Sequence, residues 1–597
     1  MDDSGKPYHD RDRWHTDIED YWPRRLLNIP TMTSYERSGK GTYGTVEFPR
    51  YSILSYTWGR WQTQSLDPDH NTSDKASSRA LPVSGTTWAI PSVNEDHFTV
   101  EAFQRVVYQI GCSTLEHEEA IEWAWIDVAC IDQEDSVVKM DEVGRQVSIF
   151  RNASRAYVWL SRIPRDALNY AMYILRRAGG DFSLNPWSQE ADILLPVLRV
   201  IRQSIVTVLD DPWFSSLWTL QELMMRHDAV ILSREAIPVP ITGYAGQDPV
   251  DLNFLMQCCV NIQKEVARKA VGDYQIQGVN LPSEVRDLLS DIEDRIYCSG
   301  LPFALLTSNP NVQYGAARFR KTSFTEDRIY GIMQIYDIRV GQSIRTNEKP
   351  TLDELVKEFG LAINVRSPVM GQLFVHTAEP RAGLSWCISE DSGVPDWLHT
   401  LTEPQERCTV SLREGSPAGT PVVVATGPCC TFSGFYGAST TAGSKPMLEI
   451  FLDHTTNQLL GGPASSDMSF RRRGLRRNPD AWQQRGAALL KRFGSDGLVV
   501  MLLGESRLPM PRLNSTWGQY YGMLLRRVGA PPGCPAAYQR LGLICWRDLI
   551  LPSPSDEGPK RFSEGQEVFR TDQEVRLLYL ETLDKLFSGP SEDLVLV

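Results

Sequence analysis

What this 597-residue chain lacks narrows its chemistry first. It has no Walker A pattern, no G-x-G-x-x-G after a strand, no G-x-S-x-G turn and no H-E-x-x-H. The nine histidines are dispersed, and none stands beside a serine or cysteine in a nucleophile context. The 11 cysteines include no C-x-x-C pair, and the neighbours Cys258-Cys259 and Cys429-Cys430 do not have a zinc spacing. No metal or cofactor is therefore expected, and an odd number of scattered thiols fits a reduced, cytoplasmic protein. Long apolar runs are missing too: Leu498–Leu503 falls far short of the ~20 residues a membrane span needs. The first residues, MDDSGKPYHDRDRWHTDIEDYWPRRLL, carry no apolar core, so no signal peptide is expected. Positive charge is scarce. The net charge is −13, and Arg471–Arg477 (RRRGLRR) is the single basic cluster, which reads first as a solvated loop and otherwise as an anion or acidic-partner contact. A general nucleic-acid or anionic-membrane binder would need a basic surface.

What is present is ordinary globular protein: 42% hydrophobic and 23% charged residues. Single cores stop growing at roughly 250–300 residues, so two or three domains are expected. Residues 1–45 read as a polar lead-in with a short amphipathic piece around Tyr21–Ile29. Residues 46–235 alternate strand and helix patterns and read as one α/β unit. Residues 236–369 are mainly helical, with helices expected over 251–269, 282–297, 325–337 and 351–365. Residues 370–597 read as a mixed, mostly β region with a few helices. No internal repeat of fixed period is visible.

The centre of the α/β unit is residues 121–160. Apolar runs at Trp123–Val128 and Ala156–Leu160 predict two strands, and Val137–Ala153 predicts the helix between them, with Asn94 or Asp96 capping the helix that precedes. Such a βαβ unit has a right-handed crossover and parallel strands. The acidic turn Cys130-Ile131-Asp132-Gln133-Glu134-Asp135 follows the first strand, and open α/β sheets bind ligands beyond the carboxyl ends of their strands.

Three segments carry candidate site residues. In Ser55-Tyr56-Thr57-Trp58-Gly59, the glycine permits a sharp turn after a strand. Tyr56 and Trp58 either stack on a planar ligand or cap the core. In the second, Asp127 within an apolar strand needs a hydrogen-bond partner; it either ties the strand to the next turn or faces a ligand with Cys130, Asp132 and Gln133. Cys130 reads more as a buried thiol than as a nucleophile. The third is Trp218-Thr-Leu-Gln221-Glu222. Trp218 and Glu222 share a helix face. A glutamate beside a tryptophan is either a desolvated carboxyl with a raised pKa or an exposed glutamate on an amphipathic helix. Asp211-Pro212-Trp213 predicts the start of that helix.

Together and in this order, YSILSYTWG, WIDVACIDQED with Glu142-x-x-x-Gln146 and Ala156–Leu160, and Trp218–Leu223 resemble the heterokaryon-incompatibility (HET) domain of filamentous fungi. The resemblance covers residues 46–235; Glu326–Tyr330 and Pro395-Asp396-Trp397 look like pieces that often follow such a domain. It implies a role in fungal non-self recognition that ends in programmed cell death. HET domains are in turn similar, remotely, to TIR domains, many of which cleave NAD at the nicotinamide–ribose bond with a glutamate in a W-C-x-x-E-like stretch. The resemblance therefore implies a TIR-like, flavodoxin-like parallel sheet flanked by helices, with Glu222 as the catalytic residue. Tyr56, Trp58, Gly59, Asp127, Cys130, Asp132, Gln133, Trp218 and Gln221 would line the substrate site, and NAD would be the substrate rather than a cofactor. One departure stands out: Ser216 replaces the family's usual arginine. A non-enzymatic module that acts by self-association as a homo-oligomer, or through a protein partner, is the competing expectation.

Overall fold

The structure, a computed structural model, describes residues 22–57, 61–62, 80–93, 97–112, 119–179, 191–241, 248–269, 281–306, 309–395, 398–399, 403–414, 421–441, 447–462, 481–510, 515–529, 536–550 and 585–597. The chain forms two compact units: residues 1–266, 281–305 and 319–350 make the first, and residues 267–280, 306–318 and 351–597 the second. Residues 281–305 and 319–350, read from sequence as part of a separate helical region, thus go with the first.

The first unit is α/β. Its eight-stranded sheet holds β1 (Arg25–Asn28), β2 (Thr33–Ser38), β3 (Thr42–Tyr43), β4 (Val46–Glu47), β5 (Tyr51–Ser55), β6 (Trp123–Trp125), β7 (Arg155–Trp159) and β8 (Val230–Leu232), in the order β8-β7-β5-β6-β1-β2-β3-β4. Strands β8, β7, β5 and β6 are parallel. All five residues of β5 are buried, as expected for a strand covered on both faces. The antiparallel strands β1–β4 extend the sheet beyond β6. Much of the expected polar lead-in is therefore sheet: β1 and β2 are joined by a short turn, which only an antiparallel pair allows.

Helix α1 (Val100–Gly111) connects β5 to β6 and buries Phe103, Val106, Val107 and Ile110. Its cap is Thr99, whose side chain accepts the Ala102 N–H; the caps expected from sequence, Asn94 and Asp96, lie outside the described residues. Three short helices follow β6: α2 (Asp127–Cys130), α3 (Ser136–Val143) and α4 (Gln146–Asn152). The single helix expected over Val137–Ala153 is thus two. They part at Gly144, whose carbonyl accepts Gln334 Nε2 at 2.9 Å, and a Cβ there would come within 2.5 Å of Arg339 Nε. Beyond β7 come α5 (Arg165–Gly179), α6 (Ala191–Leu209) and α7 (Trp218–Met225). The Asp211-Pro212 signal starts a 3₁₀ turn over Pro212–Phe214 rather than α7 itself; Asp211 accepts the Trp213 N–H at 3.0 Å. Helices α8 (Leu252–Arg268) and α9 (Ser283–Ser299) lie after β8.

The second unit is mixed and β-rich. Three long antiparallel strands, Leu498–Met510, Ser515–Val528 and Ala537–Ile550, form the middle of its larger sheet. Phe432, Phe435, Trp482, Leu498, Leu524 and Trp546 pack in one of its apolar clusters. Among the described residues, no helix of either unit is long and apolar enough to cross a membrane.

Candidate functional site

In the order β6-β5-β7-β8, chain direction reverses its march across the sheet between β5 and β7. That is the topological switch point where doubly wound sheets leave a crevice beyond their strand ends. Ser55 is the last residue of β5. Its Oγ accepts the indole N–H of fully buried Trp213 at 2.7 Å and donates to the Glu222 carboxylate. Glu222 stands on the second turn of α7. The residue keeps some exposure, yet its carboxyl is set deeply enough that burial is the largest influence on it. Burial pushes its pKa up to about 8; the Ser55 hydrogen bond pulls it back, and the charge of Asp127 raises it further.

The neighbouring residue serves the second carboxyl. Tyr56 donates from its hydroxyl to Asp127 Oδ1 at 2.5 Å, and that oxygen also accepts the Val128 N–H at 2.6 Å. Burial pushes Asp127 up to about 7, against these hydrogen bonds and the charge of Lys139. Lys139, on α3, is lowered by burial, while the charges of Asp327 and Asp127 counter that. Asp327 Oδ2 in turn accepts the Trp218 indole N–H at 3.1 Å and the Thr322 hydroxyl at 2.7 Å. The resulting patch contains carboxyls whose pKa values burial raises, Glu222 to about 8 and Asp127 to about 7, beside a partly buried ammonium. A cationic ligand arriving there favours the ionised carboxylates.

Residues 51–222 match the family model of the heterokaryon incompatibility protein (HET). The chain carries a HET domain over these residues. The matched span opens on β5 and closes on Glu222, so its two ends meet in the Ser55–Glu222 hydrogen bond. No curated protein matches the chain, and no solved structure does.

The HET domain gathers only some of the residues expected at the site. Glu222, Tyr56 and Asp127 come together through Ser55 and the sheet edge, and Trp218 joins them through Asp327. Tyr56 is buried, with its ring edge-on to Phe103 at 5.1 Å, so it belongs to the core and meets the site through its hydroxyl. Trp58 and Gly59 lie outside the described residues. Asp127 is not inside a strand: β6 ends at Trp125, and Asp127 opens α2, where its side chain accepts the Val128 N–H.

The other expected residues point elsewhere. Cys130 is buried, with its thiol donating to the Ala124 carbonyl at 3.7 Å, and burial pushes it up to about 12. Asp132 accepts the N–H groups of Glu134 and Asp135, both at 2.9 Å, and so shapes its own turn. Gln133 donates to the carbonyls of Ile131 at 3.0 Å and Asp127 at 3.3 Å. Gln221 is fully buried and donates to Gln146 at 2.6 Å, locking α7 onto α4. Glu142, of the same Glu-x-x-x-Gln pattern, accepts the Arg24 N–H at 2.9 Å and tethers the chain entering β1.

Ser55, Lys139, Trp213 and Asp327 escaped the sequence reading of the HET domain. The first sits inside the quoted SYTWG run and the last inside Glu326–Tyr330, yet no spacing joins them. Trp213 reaches Ser55 across 158 positions, and Trp218 reaches Asp327 across 109.

Proposed function

We propose that this HET-domain protein cleaves NAD at the nicotinamide–ribose bond and that this activity serves fungal non-self recognition ending in cell death. The observation that supports the reading is the deeply set carboxyl of the half-buried Glu222, held by Ser55 at the C-terminal end of β5 beside the switch point.

The bond between ribose C1′ and the nicotinamide nitrogen breaks, and both electrons stay with the ring nitrogen, cancelling its positive charge. C1′ becomes electron-poor, as in glycoside hydrolysis. Water adds at C1′ and loses a proton, giving nicotinamide, ADP-ribose and H⁺. Because the leaving group is already cationic, no strong acid is required. The carboxylate of Glu222 stabilises the positive charge that grows on the sugar. Its raised pKa favours the uncharged form, and the approaching pyridinium favours its ionisation. Asp127, held by Tyr56, supplies a second acceptor for the proton lost from water.

The test is direct. Purified protein is incubated with NAD and nicotinamide release is followed, beside Glu222→Gln. A loss of about 10²-fold or more in the variant is expected. Equal release from both proteins overturns the role given to Glu222.

A second reading has its own support. The Glu222 carboxyl is already engaged by Ser55, and Ser216 stands where the family resemblance places an arginine. Both fit a module that signals cell death by assembly or through a protein partner. Undiminished cell killing by a folded Glu222→Gln protein would select this reading.

A further inference from the structure

Arg320 is one of the largest fully buried side chains, at 1% exposure. Its hydrogen-bond partners among the described residues are uncharged oxygens. Nη1 donates to the Trp213 carbonyl at 3.1 Å and the Ser216 carbonyl at 3.3 Å, and approaches Thr219 Oγ1 at 3.5 Å; Nη2 donates to the Ser299 carbonyl. Its Nε is buried without a partner. The neighbouring Lys321 joins in through the backbone: its N–H donates to the Ser215 carbonyl at 2.7 Å, and its carbonyl accepts the Leu217 N–H at 2.9 Å.

Stability alone is a poor reason for this arrangement. A guanidinium buried without a carboxylate costs more than an apolar side chain of similar volume, and carbonyl contacts offset that only in part. What the planar fork supplies is geometry. Nη1 grips the 213–216 turn from which α7 departs while Nη2 holds the Ser299 carbonyl at the end of α9, and no other side-chain cation joins two such points with donors in a fixed plane. The grip has a short route to the reactive carboxyl. Arg320 holds the main chain of Trp213, the Trp213 indole donates to Ser55, and Ser55 donates to Glu222. Thr219, on the first turn of α7, also donates to the Trp213 carbonyl, so that one oxygen ties Arg320 to the helix carrying Glu222.

We infer that Arg320 is a positioning residue for Glu222, acting through Trp213 and Ser55 from a stretch of chain beyond the matched HET span. The inference rests on the reading of Glu222 as the reactive group, but its test does not require turnover.

In the full chain, glutamate carboxyl carbons are labelled with ¹³C and the Glu222 signal is assigned by its loss in Glu222→Gln. The titration midpoint is then compared in wild type, Arg320→Lys, Arg320→Gln and Trp213→Phe. The Ser55 hydrogen bond holds the Glu222 midpoint down. Loosening the relay therefore raises the midpoint, by about half a unit or more, in all three variants. Arg320→Lys keeps a nitrogen donor but loses the fork, so it behaves like Arg320→Gln. The Arg320→Lys/Trp213→Phe double variant shifts no further than Trp213→Phe alone, because both act on one path. Where NAD is cleaved, kcat falls about tenfold with KM within about threefold, since an interaction serving the transition state is lost. An unmoved midpoint in a folded Arg320→Lys protein, or fully additive shifts in the double variant, overturns the inference. Absence of nicotinamide release from wild type overturns the proposed reaction and leaves the midpoint comparison to decide the role of Arg320.

Discussion

Ser55 and Glu222, 167 positions apart in the chain, share one hydrogen bond at the C-terminal end of the central strand. That bond is the last link of a relay, since Ser55 Oγ also accepts the Trp213 indole N–H. The serine therefore has two duties, and its removal has two separable consequences.

Ser55→Ala leaves the fully buried Trp213 N–H without its acceptor. An unsatisfied buried donor costs about 1–3 kcal/mol, which urea unfolding will register as a lower midpoint. The same change removes the hydrogen bond that holds the Glu222 pKa down, so that pKa rises above about 8. If ionised Glu222 is the working form, the acidic limb of the pH profile for nicotinamide release moves to higher pH. A destabilised variant with an unmoved limb would separate the two duties and assign Ser55 to packing alone.

Glu222 also makes stability depend on pH. Its pKa rises from 4.5 to about 8 on folding, so between these values the folded protein keeps a proton that the unfolded chain releases. The contribution is fully present below about 4.5 and is lost as pH climbs through about 8. Glu222→Gln cannot undergo that loss. The melting temperature of the variant relative to wild type should rise between pH 5 and pH 8.5, by roughly 2–4 °C for each kcal/mol in a domain of this size. Asp127 shifts in the same direction in both proteins, so the difference reports Glu222 together with its coupling to Asp127. A constant gap across that range would mean that Glu222 titrates normally.

Local signals in the sequence carried the frame of the HET domain and lost the site. Periodicity located α1, because it buries one face along a continuous helix. It failed where tertiary contacts override it. Gly144 divides one apolar helix pattern because Gln334 and Arg339 close on it from 190 or more positions away. β1 and β2 are short, and β2 is partly exposed, so their composition resembles a lead-in until β1 pairs with β6 and β2 with β1. Trp218 and Glu222 were legible as a pair because helical spacing relates them. Ser55, Trp213 and Asp327 were not, because no period connects residues that meet only across the sheet edge.

Asp327 offers a check on that patch independent of Glu222. Its carboxylate accepts from Trp218 and Thr322, and its charge is the largest influence that counters the effect of burial on Lys139. Asp327→Asn keeps an acceptor for both donors and removes the charge. The Lys139 pKa then falls further below its ordinary value, and more of the amine is neutral near pH 8. Limited acetylation read by mass spectrometry should show Lys139 modified several-fold faster than in wild type. Lysines distant from the site report any general loosening. An unchanged Lys139 rate would place the ammonium outside the electrostatic reach of Asp327.

The second unit contains a buried ion pair with no part in the proposed reaction, and it predicts stability alone. Arg540 Nη1 lies 2.6 Å from both carboxylate oxygens of Asp453, and the Arg540 side chain is fully buried. The His376 N–H donates to Asp453 at 2.8 Å, Arg540 Nη2 donates to the Phe374 carbonyl, and the guanidinium lies 4.3 Å above the Phe374 ring. Taking charges out of water costs several kcal/mol per ion, so such a pair is stable only while both members stay. Asp453→Ala strands the Arg540 charge and should cost about 3–5 kcal/mol. Asp453→Leu combined with Arg540→Met removes both charges and should cost clearly less than Asp453→Ala, because no uncompensated ion remains. Urea unfolding, followed by a probe placed in the second unit, distinguishes the two. A double variant at least as unstable as Asp453→Ala would show that the hydrogen bonds to His376 and Phe374, rather than the charge balance, hold this part of the fold.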